Sequence, residues 1–378
     1  MLNTIGSVVA VSLCLALQAL AEPSFRARRD FGHNTQRFPE NLVVDDFDGD
    51  SIADVAVVNT GSSSVTVMIG LGEGGFRFQA SNFQYNIPNG ASGITSGDFN
   101  GDGLVDLAIS TRQDGSVAFL SGVGRGEFRR WISIPVGVDP DCLVAADFNG
   151  DHVLDLVVCN GDFAGVISVL LGNGDGTFQP PQSIPVGFFP SSLVAADFNG
   201  DGIPDLAAIV AGPRSGVTVL LGRGDGSFDT VPLLDPLIVH LSLAVADFNG
   251  DGVPDLASTV RNGVEVFLGN GDGTFGDPIV RDLSTQPNSI AAADLDGDGL
   301  PDIAVTNTIR TSGSAEQSTT VTVLRGNGDG TFGNERSFQT GSNPFGIAIR
   351  DLNGDAKPDL VVSNSASSTI SSLMNASK

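Results

Sequence analysis

The sequence predicts an all-β protein: a seven-bladed β-propeller with four antiparallel strands per blade, its last blade closed by a strand from the N-terminus. Three observations predict it. First, the pattern Asp-(Phe/Leu)-(Asn/Asp)-Gly-Asp-x-x-x-Asp occurs seven times, beginning at Asp46, Asp98, Asp147, Asp197, Asp247, Asp294 and Asp351. Successive copies start 52, 49, 50, 50, 47 and 57 residues apart, a blade period and far from the nine residues of a calcium β-helix. Second, short apolar runs flank every copy. Third, a Gly-rich turn such as Gly-Asn-Gly-Asp-Gly-Thr-Phe (172–178) follows the first six copies.

Each element of a blade has its own justification. The run before a loop (193–196) and the run after it (206–209) are apolar and too short for helices, and Gly and Asp bound them, so both read as strands. A third run (217–221) leads into the Gly-rich turn, whose Asn-Gly and Asp-Gly pairs accept positive φ and close a hairpin. A fourth, more polar run ending near a Pro completes the blade.

A ring also needs a closure. The seventh repeat stops after its third strand, at Lys378. Phe25 lies 21 residues before Asp46, matching the 19 to 22 that separate Phe76, Phe128, Phe178, Phe228, Phe275 and Phe332 from their next loop. Residues 25 to about 32 are therefore expected to form the outer strand of the last blade, against residues 369–374. Deleting either segment would bare a strand edge and promote aggregation.

Residues 1–21 are uncharged, with an apolar run over 5–17 and Ala19-Leu20-Ala21 as a small-x-small cleavage pattern. They read as a secretory signal peptide lacking a positive n-region, leaving 22–378 as one propeller in an extracellular or periplasmic setting. No other stretch is long or apolar enough to span a membrane. With 44 acidic against 19 basic side chains and a net charge of −25, the chain lacks the clustered Lys and Arg that a nucleic-acid partner requires.

The repeated loop carries the chemistry. Positions 1, 3, 5 and 9 hold oxygen side chains: Asp46, Asp48, Asp50 and Asp54; Asp98, Asn100, Asp102 and Asp106; Asp147, Asn149, Asp151 and Asp155; Asp197, Asn199, Asp201 and Asp205. The series continues with Asp247, Asn249, Asp251 and Asp255; Asp294, Asp296, Asp298 and Asp302; and Asp351, Asn353, Asp355 and Asp359. With the backbone carbonyl of position 7 (Ile203) pointing inward, such a loop suits a hard cation, and the absence of His and Cys disfavours zinc and copper. Calcium fits better than magnesium, up to seven ions, one per repeat. The loop is not an EF-hand, because position 12 is Val57, Ile109, Val158, Ala208, Ser258, Val305 or Val362 where that motif has Glu.

The four ligand positions hold 23 Asp across the seven loops, and seven divalent ions would reduce the charge from −25 to −11. At millimolar calcium each site would add roughly 0.4 to 1.4 kcal/mol, a structural role. Position 6 needs a sharp turn. Gly103, Gly202, Gly252 and Gly299 suit it, whereas Ser51, His152 and Ala356 do not, so the first, third and seventh sites are expected to be weakest.

These loops, Asp-Phe-Asn-Gly-Asp-Gly-x-Pro-Asp at 197–205 and 247–255, together with the Gly-Asn-Gly-Asp-Gly-Thr-Phe-Gly turns at 269–276 and 326–333, resemble the FG-GAP/VCBS repeat family. Its propellers include integrin α heads, lectins and some polysaccharide-degrading enzymes. The resemblance spans essentially 23–378 and implies the fold and calcium; one scaffold with many activities implies little more.

On the face away from the loops, the connections between second and third strands carry Arg112, Arg214, Arg261 and Arg310, the longest running over 308–320. Phe188, Phe189, His240 and Phe345 lie in segments between blades. Four Arg on an acidic protein form a candidate site for an acidic sugar or a carboxylate-bearing partner, or else are solvated loop charges. Trp131 and Tyr85 are the single Trp and Tyr, a thin supply for a sugar platform. The three His (His33, His152, His240) are scattered over the repeat, and no paired acid stands apart from the loops, so nothing nominates a catalytic centre. Arg223-Gly224-Asp225 is a variant of the hairpin turn. Cys142 and Cys159 face each other across the first two strands of the third blade, as a disulfide or as two buried thiols. The sequence thus points to an exported, non-catalytic recognition or adhesion module for a glycan or extracellular protein, with a polysaccharide lyase or hydrolase on the same ring as the alternative.

Overall fold

The computed structural model describes residues 22–32, 37–78, 84–161, 163, 165–235, 237–308 and 318–377. The expected signal peptide and Arg310 lie outside the described residues. The described chain is all-β apart from a 3₁₀ turn at Arg112–Asp114, and none of its helices is long and apolar enough to cross a membrane.

Seven antiparallel sheets follow one another in chain order. In the fourth blade the strands are Ser191–Ala196, Asp205–Val210, Gly216–Gly222 and Phe228–Thr230, paired in that order. Burial grades across the blade. Asp205–Val210 is buried throughout because neighbouring sheets cover both faces, whereas Phe228–Thr230 lies at the rim and is half-buried to exposed. The first strands touch their counterparts in the adjacent blades, and Pro39–Asp45 meets both Ala91–Gly97 and Pro344–Arg350, which closes the ring. Each first strand shifts register once near its start, as between Ser191 and Leu193, a bulge that bends it at the channel mouth. In the first blade the outer strand comes in two pieces, Phe76–Phe78 and Gln84–Asn86, both on Ser64–Gly70.

The closure forms as expected. Arg29–Gly32 pairs antiparallel with Thr369–Leu373 in the register Arg29 to Ser372 and Gly32 to Thr369, and Phe25 bridges Asn375. Phe25 packs edge-on to Phe338 of the sixth blade, ring centroids 5.0 Å apart.

Aromatic pairs join the blades. The Phe at loop position 2 meets the Phe ending the next blade's turn: Phe47 with Phe128, Phe99 with Phe178, Phe148 with Phe228, Phe198 with Phe275 and Phe248 with Phe332, at centroid distances from 5.4 to 5.9 Å. Beside each ring, the turn donates an amide to the same residue's carbonyl, as from Gly226 to Phe148 at 3.2 Å. The repeated Phe therefore serve packing, each pair adding about 0.5–1.5 kcal/mol beyond area burial.

Candidate functional site

Each Asp-rich loop folds around its first carboxylate. Asp197 Oδ1 accepts the amides of Gly200 (2.7 Å) and Asp201 (3.1 Å), and its Oδ2 accepts that of Gly202 (2.8 Å). Asn199 Oδ1 takes the Asp201 amide and Asp201 Oδ1 takes that of Ile203. The bonds from positions 4 and 6 recur at Asp46, Asp98, Asp147, Asp247, Asp294 and Asp351. Asp side chains fold chain segments this way because they bond amides a few residues on. Position 6 takes positive φ throughout, from 79° to 86° at Gly103, Gly202, Gly252 and Gly299 and from 63° to 67° at Ser51, His152 and Ala356.

The donor chemistry fits a hard cation. One oxygen from each of Asp46, Asp48 and Asp50, and likewise from Asp294, Asp296 and Asp298, lies within 4.8 Å of the others. Burial and the neighbouring Asp50 and Asp46 charges raise the Asp48 pKa, the expected cost of crowded carboxylates without a counter-charge. At Asp147 and Asp351 the burial penalty is outweighed by the loop amides, and both carboxyls titrate below the usual range. Where Asn fills position 3 in the third, fourth and fifth loops, its amide donates to the position-5 carboxylate.

Position 9 has a further task. Asp205 Oδ2 accepts the Phe198 amide at 2.8 Å and Oδ1 accepts that of Gly222, which opens the Gly-rich turn, at 2.7 Å. The same bonds link Asp54 to Phe47 and Gly70, Asp106 to Phe99 and Gly122, Asp155 to Phe148 and Gly172, and Asp255 to Phe248 and Gly269. Asp302 bonds Leu295 and Gly326, and Asp359 bonds Leu352 and Asn375. These seven side chains are fully buried. Burial pushes the Asp54 and Asp302 carboxyls up to about 7 and those of Asp106 and Asp359 up to about 6, against the bonds that favour ionisation. Asp155, Asp205 and Asp255 are raised by the same cause.

The sixth loop differs in a way the repeat pattern did not signal. Arg325 Nε donates to Asp296 Oδ2 at 2.7 Å and its Nη2 to Asp298 Oδ2, placing a fixed cation on two candidate ligands. The turn carboxylates Asp175, Asp225, Asp272 and Asp329 accept bonds from Thr177, Ser227, Thr274 and Thr331 in their own turns.

On the opposite face, the structure ties Arg112 to Asp141 (2.5 Å) rather than to the other Arg. Arg112 lines the polar channel mouth with Glu40, Asn41 and Ser92, while Arg214 and Arg261 stand exposed on the fourth and fifth blades. Cys142 sits in the bulge between Pro140 and Leu143, joined by a disulfide to Cys159 with Cα atoms 5.1 Å apart.

Sequence reasoning missed a cleft between the outer strands of the first two blades. It measures about 950 Å³ and brings together Tyr85, Trp131, Gln84, Asn86, Asp114 and Arg130. The Trp131 indole N–H donates to the Asn86 carbonyl at 2.9 Å, fixing the ring across the blade boundary. The Tyr85 hydroxyl accepts the Phe128 amide at 3.0 Å. A signal was present: Tyr85 and Trp131 lie 13 and 16 residues ahead of consecutive loops, so the first falls on, and the second directly before, the outer strands of adjacent blades.

Comparisons with known proteins agree with this architecture. Among solved structures, the chain is similar to an Agrocybe aegerita lectin described as recognising non-reducing terminal N-acetylglucosamine (22% identity, 81% of each chain, TM-score 0.56). It is similar to a chain in the complex of BBS1N with ARL6DN (12% identity, 91% of this chain and 95% of that one, TM-score 0.62). It is also similar to a catalytically inactive virginiamycin B lyase from Staphylococcus aureus with quinupristin (13% identity, 93% and 99%, TM-score 0.60). At these identities the likeness concerns the fold alone. No curated protein matches the chain. The family model for the FG-GAP-like repeat matches residues 46–109, 98–158, 147–208, 208–258, 247–305 and 312–362, and that for the FG-GAP repeat matches 287–324. Matched over most of its length, repeat after repeat, the chain belongs to the FG-GAP-like repeat family.

Proposed function

We propose that this propeller is an exported recognition module, held rigid by calcium in its Asp-rich loops, that binds a glycan without turnover in the cleft between its first two blades. The observation that carries the reading is the meeting of Tyr85 and Trp131 in one cleft edged by amide and charged side chains. A fixed aromatic face with convergent polar groups suits the apolar side and hydroxyl rim of a sugar ring. The lectin of similar fold lends support by analogy. Calcium is supported by the all-oxygen, crowded carboxylate set of the first and sixth loops. Export is supported by the N-terminal apolar run and the Cys142–Cys159 disulfide.

The lyase or hydrolase alternative is less well served. Tyr85, the nearest candidate base, already accepts a backbone amide, and burial raises its pKa further from the working range. The test is a glycan array on the protein in millimolar calcium and in chelator, paired with an assay for released unsaturated uronate or reducing ends. Calcium-supported capture without product release is expected. Trp131→Ala should lose about 2 kcal/mol of affinity, roughly thirtyfold, in protein that a melting scan shows to be folded, though less stable for the lost blade-to-blade contact. Full retention of capture by that variant would remove the cleft from the reading.

A further inference from the structure

We propose that Asp235, His240 and Glu265 form a binding site for a divalent transition-metal ion, zinc first, on the fifth blade and distinct from the seven oxygen loops. His240 opens the first strand of that blade, Glu265 lies on its third strand, and Asp235 comes from the segment leading in from the fourth. The topology sets them at the end of the blade away from the Asp-rich loop, which joins Ala246 to Asp255. One imidazole nitrogen and one oxygen from each carboxylate lie within 4.8 Å of one another.

Two features separate this cluster from a chance gathering of acids. His240 and Glu265 are 3% and 6% exposed, yet among the described residues His240 Nε2 and Glu265 Oε2 are buried with no donor or acceptor beyond the Asp235 carboxyl that lies against Glu265. Glu265 Oε2 faces the imidazole, 3.9 Å from His240 Nδ1. Most buried polar atoms in proteins find partners; here two unpartnered atoms fall in one cluster of possible metal ligands, and a shared cation would satisfy both. The imidazole is also set up as a ligand. Ser258 Oγ stands 3.0 Å from His240 Nδ1 and has the Ser242 carbonyl at 3.2 Å to take its own proton, so it can accept an Nδ1–H. With an ion on Nε2 the ring carries its proton on Nδ1, and Ser258 would hold that proton as a second-sphere partner does for a metal-bound His. Phe267 packs against the ring, centroids 6.0 Å apart. A nitrogen with two carboxylates suits zinc and its neighbours better than calcium, and the two negative charges balance a divalent ion. Asp235 is half-buried, the least enclosed of the three.

The test uses the full chain saturated with millimolar calcium, so that the oxygen loops are occupied, and titrates Zn²⁺ by calorimetry. One zinc equivalent surviving gel filtration is expected, with Co²⁺ in its place giving visible d–d bands. Glu265→Gln keeps the side-chain volume and should weaken zinc binding at least about tenfold, as should His240→Asn, while Ser258→Ala should weaken it less. Melting in calcium reports whether each variant is folded, and Asp235→Asn, on the half-buried segment, serves if a core variant is not. Zinc retained at full affinity in folded Glu265→Gln or Asp235→Asn would overturn the site. So would loss of zinc in His152→Asn instead, since that exposed imidazole stands 3.9 Å from Asp147 in the third loop. Failure of the wild-type chain to retain zinc would mean that the carboxyls share a proton and hold no ion.

Discussion

A carboxylate at position 5 of a loop and one at position 9 look alike in sequence and do different work. Asp201 bonds exposed loop groups, whereas Asp205 ties two buried amides from separate segments. Asp201→Ala is therefore expected to lower melting in calcium and leave it nearly unchanged in chelator. Asp205→Asn, which leaves one buried amide orphaned, should cost about 1–3 kcal/mol in both conditions. Parallel calorimetric scans decide it, and equal calcium-dependent losses would make position 9 a ligand only. Arg325 offers a second comparison. It precedes the turn Gly326, where the fourth blade has Leu221 before Gly222, and its guanidinium sits on Asp296 and Asp298. Removing that charge in Arg325→Leu should tighten calcium at the sixth loop roughly tenfold or more, seen as one stronger site by equilibrium dialysis.

The strand-to-turn junction is the element that repeats and the one the last blade must improvise. That blade lacks a Gly-rich turn, and Asn375 takes over two of its jobs. Its amide bonds Asp359 at 2.7 Å, as a turn amide does elsewhere, and its Nδ2 reaches the Leu295 carbonyl of the sixth blade at 2.7 Å and that of Pro358 at 2.9 Å. Asn375→Ala removes both Nδ2 bonds and leaves a buried carbonyl unpaired, so stability should fall by about 2–4 kcal/mol. The protein should then open from the closure strand, with hydrogen exchange rising first in Arg29–Gly32 and Thr369–Leu373. Uniform protection across all blades would contradict this.

For the whole molecule, charge governs stability. Seven buried position-9 carboxyls have folded pKa values raised above their unfolded ones. Between about pH 4 and pH 7 the folded chain thus holds protons that the unfolded chain has released, and without metal its stability falls as pH rises through that window. A calcium ion held by the ionised loop carboxylates, as proposed above, would reverse the slope. In chelator the melting temperature should rise from pH 7.5 to pH 5, and in millimolar calcium it should fall over the same interval. A rise on acidification in both conditions would mean that the loops hold no cation linked to these groups, and a fall in chelator would overturn the raised carboxyl pKa values. The calcium-free chain also carries a net charge of −25, which adds to the same trend.

The sequence by itself determined the blade count, the loop in each blade and the closing strand, because each rests on local rules repeated seven times. Asp, Gly and Phe at fixed offsets dictate turns and pairings within about 50 residues, and repetition removes the ambiguity of any single copy. Contacts made by residues that occur in only one repeat obey no such period, so only the tertiary structure decided them. It set Tyr85 beside Trp131, Arg325 on the sixth loop, Asn375 across the last blade boundary, and His240 over Glu265. It also paired Arg112 with Asp141 and left Arg214 and Arg261 exposed, although the sequence places all three on equivalent connections. The physical reason is that backbone conformation follows from neighbours along the chain. Which side chains meet follows from how blades close into a ring.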